Sequence, residues 1–336
     1  MPLVSVVMPV RNAGATIARA VASIQSQTLA DWELIAIDDG SKDASRFVLI
    51  EMAQVDPRIR ILRTKGGIVA ALNAGLQSAT GEFVARMDAD DESEPTRLAA
   101  QAEYLRLHPD IGLVGCRVRY GGDRTAQAGY ALHVDWLNSL LTPEEIALNR
   151  FVESPFAHPS VMFRRHLVED HGTYRAGDFP EDYELWLRWL DADVHMAKLP
   201  EELVTWNDFP DRLSRTDPRY APEAFFRLKA HWIAEWLKRE NDPARPIWVW
   251  GSGRPTRQRV AHLVEKGVRI AGYVDVDAKK TGKKIAGFPV VPPAELPPAS
   301  ETFVLGYVGV RGARDFIRTS LLATGRREGV DFLMCA

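Results

Sequence analysis

Four carboxylates crowd into five positions at Asp88-Ala89-Asp90-Asp91-Glu92. Negative charges packed that closely repel unless water, a cation or a helix terminus offsets them. A hard divalent ion, Mg²⁺ or Mn²⁺, held by one or two of these carboxylates and completed by phosphate oxygens, would do so. A solvated acidic loop capping a helix at 97–107 would account for the same residues. A second acidic pair stands in Asp38-Asp39-Gly40-Ser41. A carboxylate there can accept hydrogen bonds from a base or a ribose, and the same four residues suit an ordinary turn with Asp39 or Ser41 as helix cap.

Both clusters fall where an apolar run stops. Residues 3–9 form a short β-branched run ending in proline, and 13–27 then place Ile17, Ala20, Val21 and Ile24 at helical spacing. Residues 32–37 read as a buried strand ending at Asp38, 58–63 as a third strand, 68–78 as a helix, and 82–87 as a strand ending at Asp88. Strands alternating with helices predict a parallel sheet covered on both faces, with ligands beyond the carboxyl ends of its strands. Further on, 184–190 and 225–237 carry aromatic-rich helical spacing, and 208–222 reads as a loop. Trp186, Trp189, Phe225, Phe226, Trp232 and Trp236 are expected in the core rather than as sugar-stacking platforms.

The length of 336 residues allows two cores. We expect a large domain at 1–240, a linker at 241–246 with two prolines, and a small domain at 247–336. A formal charge of −3 offers no broad basic field for nucleic acid. Cys116 and Cys335 lie far apart with no CxxC spacing, which predicts neither a zinc knuckle nor a disulfide framework. The amino terminus lacks the pattern of a signal peptide, and no stretch approaches the ~18 apolar residues of a membrane span. The expectation is a soluble protein of a reducing cytoplasm, any membrane contact being peripheral at the inner face.

Taken together and in order, Pro9-Val10-Arg11-Asn12, Ser23 to Gln27, Trp32 to Ser41, Ala71-Leu72-Asn73-Ala74-Gly75 and Ala79 to Asp91 resemble the inverting family 2 glycosyltransferases of GT-A fold. The resemblance covers most of residues 1 to about 215. It implies an α/β fold: a GT-A nucleotide-sugar-binding domain with a mainly parallel sheet flanked by helices. It implies that Pro9, Val10 and Asn12 line the nucleoside pocket and that Asp39 holds the base, usually uracil or thymine. Asp88 and Asp90 match a DxD motif whose last acid ligates a metal bridging the donor diphosphate, with Asp88 near ribose or phosphate. Arg63 and Lys65 lie where a basic loop could meet phosphate, or simply in a solvated turn.

Phe179-Pro180-Glu181-Asp182 resembles the family's ED motif at the start of an acceptor-side helix. Inverting transfer is a direct displacement, so the attacking hydroxyl needs a base within hydrogen-bond reach. Asp182 is the expected base and Glu181 the fallback; both also favour the dipole of the helix they begin. His158, in Ala157 to Arg165, resembles a family segment on the acceptor side and would serve equally as a structural histidine. Arg212 and Arg215 match a loop that can close over the diphosphate, or stand in solvent.

Beyond the linker the pattern restarts with a strand at 247–250, Gly251-Ser252-Gly253, a helix at 256–266 and a strand at 269–274 ending near Asp275 and Asp277. This has the outline of a small Rossmann-like α/β domain, although the third glycine is absent and Arg254-Pro255 occupies the turn. With Gly287 to Val291 it resembles the amino-terminal part of some sugar acyltransferases and suits binding or docking without chemistry of its own. The main expectation is thus a transferase taking a UDP or dTDP sugar to a glycan, lipid-linked or protein acceptor in polysaccharide or glycoconjugate assembly. The rivals are a non-catalytic nucleotide-sugar sensor and a nicotinamide-dependent oxidoreductase centred on 251–253.

Overall fold

The first apolar run folds as β1 (Val4–Val10). Its period of two sends Val4, Val6, Met8 and Val10 into one hydrophobic layer and Val7 into the other. The protein is represented by a computed structural model that describes residues 1–209 and 212–336. They divide into two units, one of 1–146, 155–177 and 181–216, the other of 147–154, 178–180 and 217–336.

In the first unit β1 is followed by α1 (Ile17–Gln25), β2 (Trp32–Asp38), α2 (Ser45–Val55), β3 (Ile59–Arg63), α3 (Ile68–Ser78), β4 (Phe83–Arg86) and β5 (Glu92–Ser93). Next come α4 (Arg97–Leu107), β6 (Ile111–Tyr120), α5 (Ala128–Ser139), α6 (Pro143–Asn149, of which 147–149 group with the second unit), β7 (Met162–Arg164), α7 (His166–His171), α8 (Glu181–Asp191), β8 (His195–Trp206) and α9 (Leu213–Thr216). Among the described residues the sheet order is β3-β2-β1-β4-β7-β6-β8-β5. β3, β2, β1 and β4 are parallel. β7 is antiparallel to both β4 and β6, and β8 runs with β6. The carboxyl ends of β1, β2, β4, β6 and β8 therefore share one edge of the sheet.

One sheet face is covered by α1, α4 and α5 through residues such as Ile24, Leu98 and Val134. The other is covered by α3 and α8, through Leu72, Trp186 and Trp189 among others. The close approach of α3 requires a glycine. A Cβ at Gly75 would lie 2.4 Å from Val7 Cγ1 and 2.9 Å from Ile37 Cδ1.

The second unit holds α10 (Pro222–Glu240), β9 (Ile247–Trp250), α11 (Arg254–Glu265), β10 (Ile270–Val274), β11 (Lys284–Ile285), β12 (Phe288–Val291), β13 (Phe303–Gly306), α12 (Ala313–Leu322) and β14 (Phe332–Met334). Its sheet order is β11-β12-β10-β9-β13-β14. From β12 to β14 the strands are parallel, and β11 forms a hairpin with β12.

The sequence reading puts 217–240 in the first domain, whereas α10 groups with the second unit. The Trp236 ring lies 5.6 Å from that of Phe303, and buried Lys229 donates to the carbonyls of Val152 and Cys335 at 3.0 Å each. Amphipathic spacing shows that a helix has a face to bury but not which sheet will cover it. Part of the expected loop at 208–222 is helical, as α9 and a 3₁₀ turn at Pro218–Tyr220; positions 210 and 211 lie outside the described residues. Trp186, Trp189, Trp232 and Trp236 are buried. Cys116 and Cys335 are free and buried, and burial pushes their thiols up to about 11 and about 12. No described helix is long and apolar enough to cross a membrane.

Candidate active site

β4 delivers the acidic cluster. Its register places Arg86 opposite Val7 of β1, and the chain then turns through Met87 into Asp88. From the neighbouring helix α4, buried Arg97 donates to the Arg86 carbonyl at 2.8 Å and fixes the strand end. Thr16 donates to the Ala89 carbonyl at 2.9 Å. Asn207, just beyond β8, holds the other side. Its backbone N–H donates to Asp91 Oδ1 at 2.7 Å and its side-chain amide to the Asp90 carbonyl at 2.8 Å.

So held, Asp88, Asp90 and Asp91 each present a carboxylate oxygen within 4.8 Å of the others. Burial, then the charge of Asp88, raises both carboxyls, Asp90 to about 6 and Asp91 well above the usual carboxylate range. Asp91 Oδ2 is buried with no hydrogen-bond partner among the described residues. An orphaned buried carboxylate oxygen beside two more acids is the oxygen-rich set a hard divalent cation takes, and such an ion would favour their ionised forms. Glu92 turns away into β5 and pairs with Arg19 at 3.0 Å.

The corner formed by β1, β2 and β3 gathers the residues expected around a nucleoside. Pro9 and Val10 are buried where β1 ends. Asn12 adopts a left-handed backbone with φ 52°, which a short polar side chain tolerates. Its N–H donates to Ser41 Oγ at 3.1 Å and its Oδ1 accepts from the Lys42 N–H at 2.9 Å. Asp39 is buried and accepts from Thr64 Oγ1 at 2.8 Å and the Gly67 N–H at 3.1 Å, with Arg11 at 3.5 Å. Arg63 stands 3.8 Å from Asp38. Lys65 is exposed on the following loop, near Gly40.

The ED pair opens α8, whose first turn carries Glu181, Asp182 and Glu184. Glu181 is buried; Asp182 keeps partial exposure and accepts from the Tyr183 N–H at 2.7 Å. Burial, then the neighbouring Glu181, pushes Asp182 up to about 7. The helix is seated by Trp186 and Trp189 and by Arg188, which pairs with Glu184 at 3.0 Å and donates to the Thr173 carbonyl at 2.7 Å.

Between the two acidic groups lies a residue the sequence reading does not single out. Arg86 is 4% exposed. Its guanidinium pairs with Asp88, and its charge acts on Asp90, Asp182, Tyr174 and His158. His158 is buried with Nε2 2.8 Å from the Tyr174 hydroxyl, and burial, then Arg86, depresses its pKa well below the usual range. A neutral imidazole thus packs behind Arg86 in the wall of the site. Arg212 is drawn to the acidic cluster. Its guanidinium lies 4.7 Å from the Trp206 ring and 3.4 Å from the Tyr130 hydroxyl, and its charge acts on Asp88, Asp90 and Asp91. Arg215 is engaged with Asp208 at 2.6 Å. Arg86, Asn207 and Tyr130 complete this picture around the acidic cluster, and the one sequence signal among them is an arginine closing an otherwise apolar strand directly before the acids.

The chain is 42% identical over 195 residues to the UDP-Glc:alpha-D-GlcNAc-diphosphoundecaprenol beta-1,3-glucosyltransferase WfgD of Escherichia coli, covering 56% of this chain and 70% of that protein. It is 27% identical over 248 residues to the O-antigen biosynthesis glycosyltransferase WbnJ of Escherichia coli, covering 72% of this chain and 91% of the other. Among solved structures, S. aureus TarS 1-349 in complex with UDP-GlcNAc superimposes with a TM-score of 0.55 at 17% identity, over 79% of this chain and 71% of that one; at that identity the likeness is one of fold, the GT-A arrangement. The model of the family Glycosyl transferase family 2 matches residues 5–172. The chain belongs to that family, and it is a glycosyltransferase.

Proposed function

We propose that the chain transfers a sugar from a UDP or dTDP donor to an acceptor hydroxyl, with inversion, in the assembly of a surface polysaccharide. The observation that carries the reading is the pairing of chemistry at one sheet edge: a triad of acids that fits a divalent cation, and a carboxylate, Asp182, whose proton affinity is raised to near neutrality. Relatives support the pathway, since WbnJ is named for O-antigen biosynthesis and WfgD for glucose transfer from UDP-Glc onto a lipid-linked diphosphate acceptor. An acceptor of that lipid-linked glycan kind is proposed here.

Asp39 and the Pro9–Asn12 turn would hold the base and ribose. Asp88 and Asp90, with Asp91, would hold Mn²⁺ or Mg²⁺, which when bound offsets the charge of the departing diphosphate. Arg212 adds a positive charge on the same side, with Arg63 and Lys65 at the outer corner. Asp182 takes the proton of the acceptor hydroxyl as its oxygen bonds to the anomeric carbon and the bond to the diphosphate breaks. One displacement needs one base, and no covalent sugar–enzyme intermediate forms. Arg86 holds Asp88 in place and tempers the charge near Asp182.

Thermal stabilisation by UDP-, dTDP-, GDP- and CMP-sugars with and without Mn²⁺ tests the donor half, because a ligand of the folded state raises its stability. The expected outcome is a Mn²⁺-dependent shift with one pyrimidine diphosphate sugar that disappears in Asp90→Ala. A shift independent of metal, or unchanged in that variant, would remove the cation from the proposal.

A further inference from the structure

The second unit has a cavity of its own. Its parallel strands run in the order β12-β10-β9-β13-β14, so the chain leaves β9 toward one edge and later returns to its other side at β13. At such a switch point the loops beyond the strands part and leave a crevice. A cavity of ≈ 410 Å³ lies there, walled by the loops after β9, β10 and β13 and by the starts of α11 and α12.

Three features of this cavity are independent of one another. The first is backbone. Gly251 has φ 111° and a Cβ there would lie 2.6 Å from Val308 Cγ2, so the wall is kept open by glycine. Gly253 precedes α11 with no side-chain cap and no acid in the first turn; Pro255 has no N–H to give, so the first-turn amides left without a side-chain acceptor are those of Arg254 and Thr256. The second is charge. Lys280 is taken up by Asp275 at 3.2 Å, and Asp275 itself accepts from the Ser252 N–H at 3.0 Å. Arg259 lines the cavity, partly buried against Phe226 at 4.1 Å, and no carboxylate among the described residues pairs with it. The third is an apolar rim. Val276, Val310 and Phe316 line the opening at 61%, 71% and 54% exposure.

An unpaired cation and uncapped amides call for an anion, and an exposed apolar rim calls for a flat hydrophobic body; a nucleotide carries both on one molecule. We propose that the carboxyl-terminal unit binds a nucleotide in this cavity. Its phosphate rests on Arg259 and the start of α11, and its base lies against Val276, Val310 and Phe316. The residues it uses belong to the second unit alone, and the proposal stands whether or not the donor assignment holds.

Amide hydrogen exchange on the full-length Asp90→Ala protein tests it, with UDP, ADP and NAD⁺ as probes and inorganic phosphate alongside. At least one nucleotide is expected to protect 251–259 and 308–317, phosphate alone is not, and Arg259→Ala should weaken that nucleotide about tenfold, the loss of one charge-assisted hydrogen bond. Should Arg259→Ala fail to fold, Arg259→Gln takes its place. Absence of protection with all three nucleotides, equal protection by phosphate, or unchanged affinity in the Arg259 variant would overturn the proposal. Exchange at 88–91 in the wild-type protein reads the donor site separately, so failure at one centre is not confused with failure at the other.

Discussion

Arg86 shows how a single side chain can serve two carboxylate groups. Buried arginine is stable only when its charge is answered, and here Asp88 answers it while Asp182 feels its field. Asp182→Asn keeps the shape and removes the base, so transfer should fall about 10²–10⁴-fold with donor binding unchanged; separate measurement of kcat and donor affinity checks both halves, and equal turnover would sink the assignment. The pH dependence has a definite sign. The base works ionised, so kcat should climb with pH through about 7, where burial and Glu181 place Asp182. Stability runs the other way. A folded carboxyl raised above its unfolded value contributes most at low pH, and that contribution is lost as pH rises through about 7. Urea titrations at pH 5 and pH 8 should show it, and Asp182→Asn should remove that part of the difference. Much of the acid inventory is legible in the sequence because each acidic cluster closes an apolar strand and the clusters follow one another in the order of the family's motifs. Arg86 is not, since a cation within an apolar strand reads as strand until its partners are known. Asn207 is no more visible, because its bonds to Asp90 and Asp91 span 117 and 116 positions of chain.

The elements that position the site differ in how plainly they are written. β1, β2 and β4 are short apolar runs stopped by polar clusters, and the structure places them within a residue or two of the reading. α2 carries its apolar residues weakly, with Phe47 and Val55 exposed, and no periodicity marks it. β6, β7 and α5 are not read as elements from the sequence, because their partners come from across the sheet and register is a long-range property. α8 is written clearly, in Trp186 and Trp189, and its packing sets the position of the ED pair. Trp186→Ala should cost about 3–5 kcal/mol in chemical denaturation. Because Trp186 also flanks His158 at 5.9 Å, turnover should drop in whatever fraction stays folded. Gly75→Val would press α3 off the sheet and should cost about 1–3 kcal/mol; a neutral result would mean α3 can slide.

At the scale of the whole chain, the place where it can be cut is set by α10 and not by the prolines after it. A protein ending at 246 keeps Trp232, Ile233 and Trp236 but loses Phe303, and it takes from Lys229 the Cys335 carbonyl that answers a buried ammonium, which burial already lowers to about 8. Residues 1–246 should therefore melt lower than the full chain and self-associate on size exclusion; a monomeric fragment of undiminished melting temperature would show that α10 has cover enough without β13 and β14. The two cysteines give each unit a clock. Cys116 is sealed in the first and Cys335 in the second, both with thiols held far from ionisation. Since only an exposed thiolate alkylates readily, reaction with iodoacetamide waits on opening, and mass spectrometry of the two peptides times each unit in one sample. Donor with Mn²⁺ should slow the Cys116 clock and leave the Cys335 clock running; a nucleotide in the second unit should do the reverse.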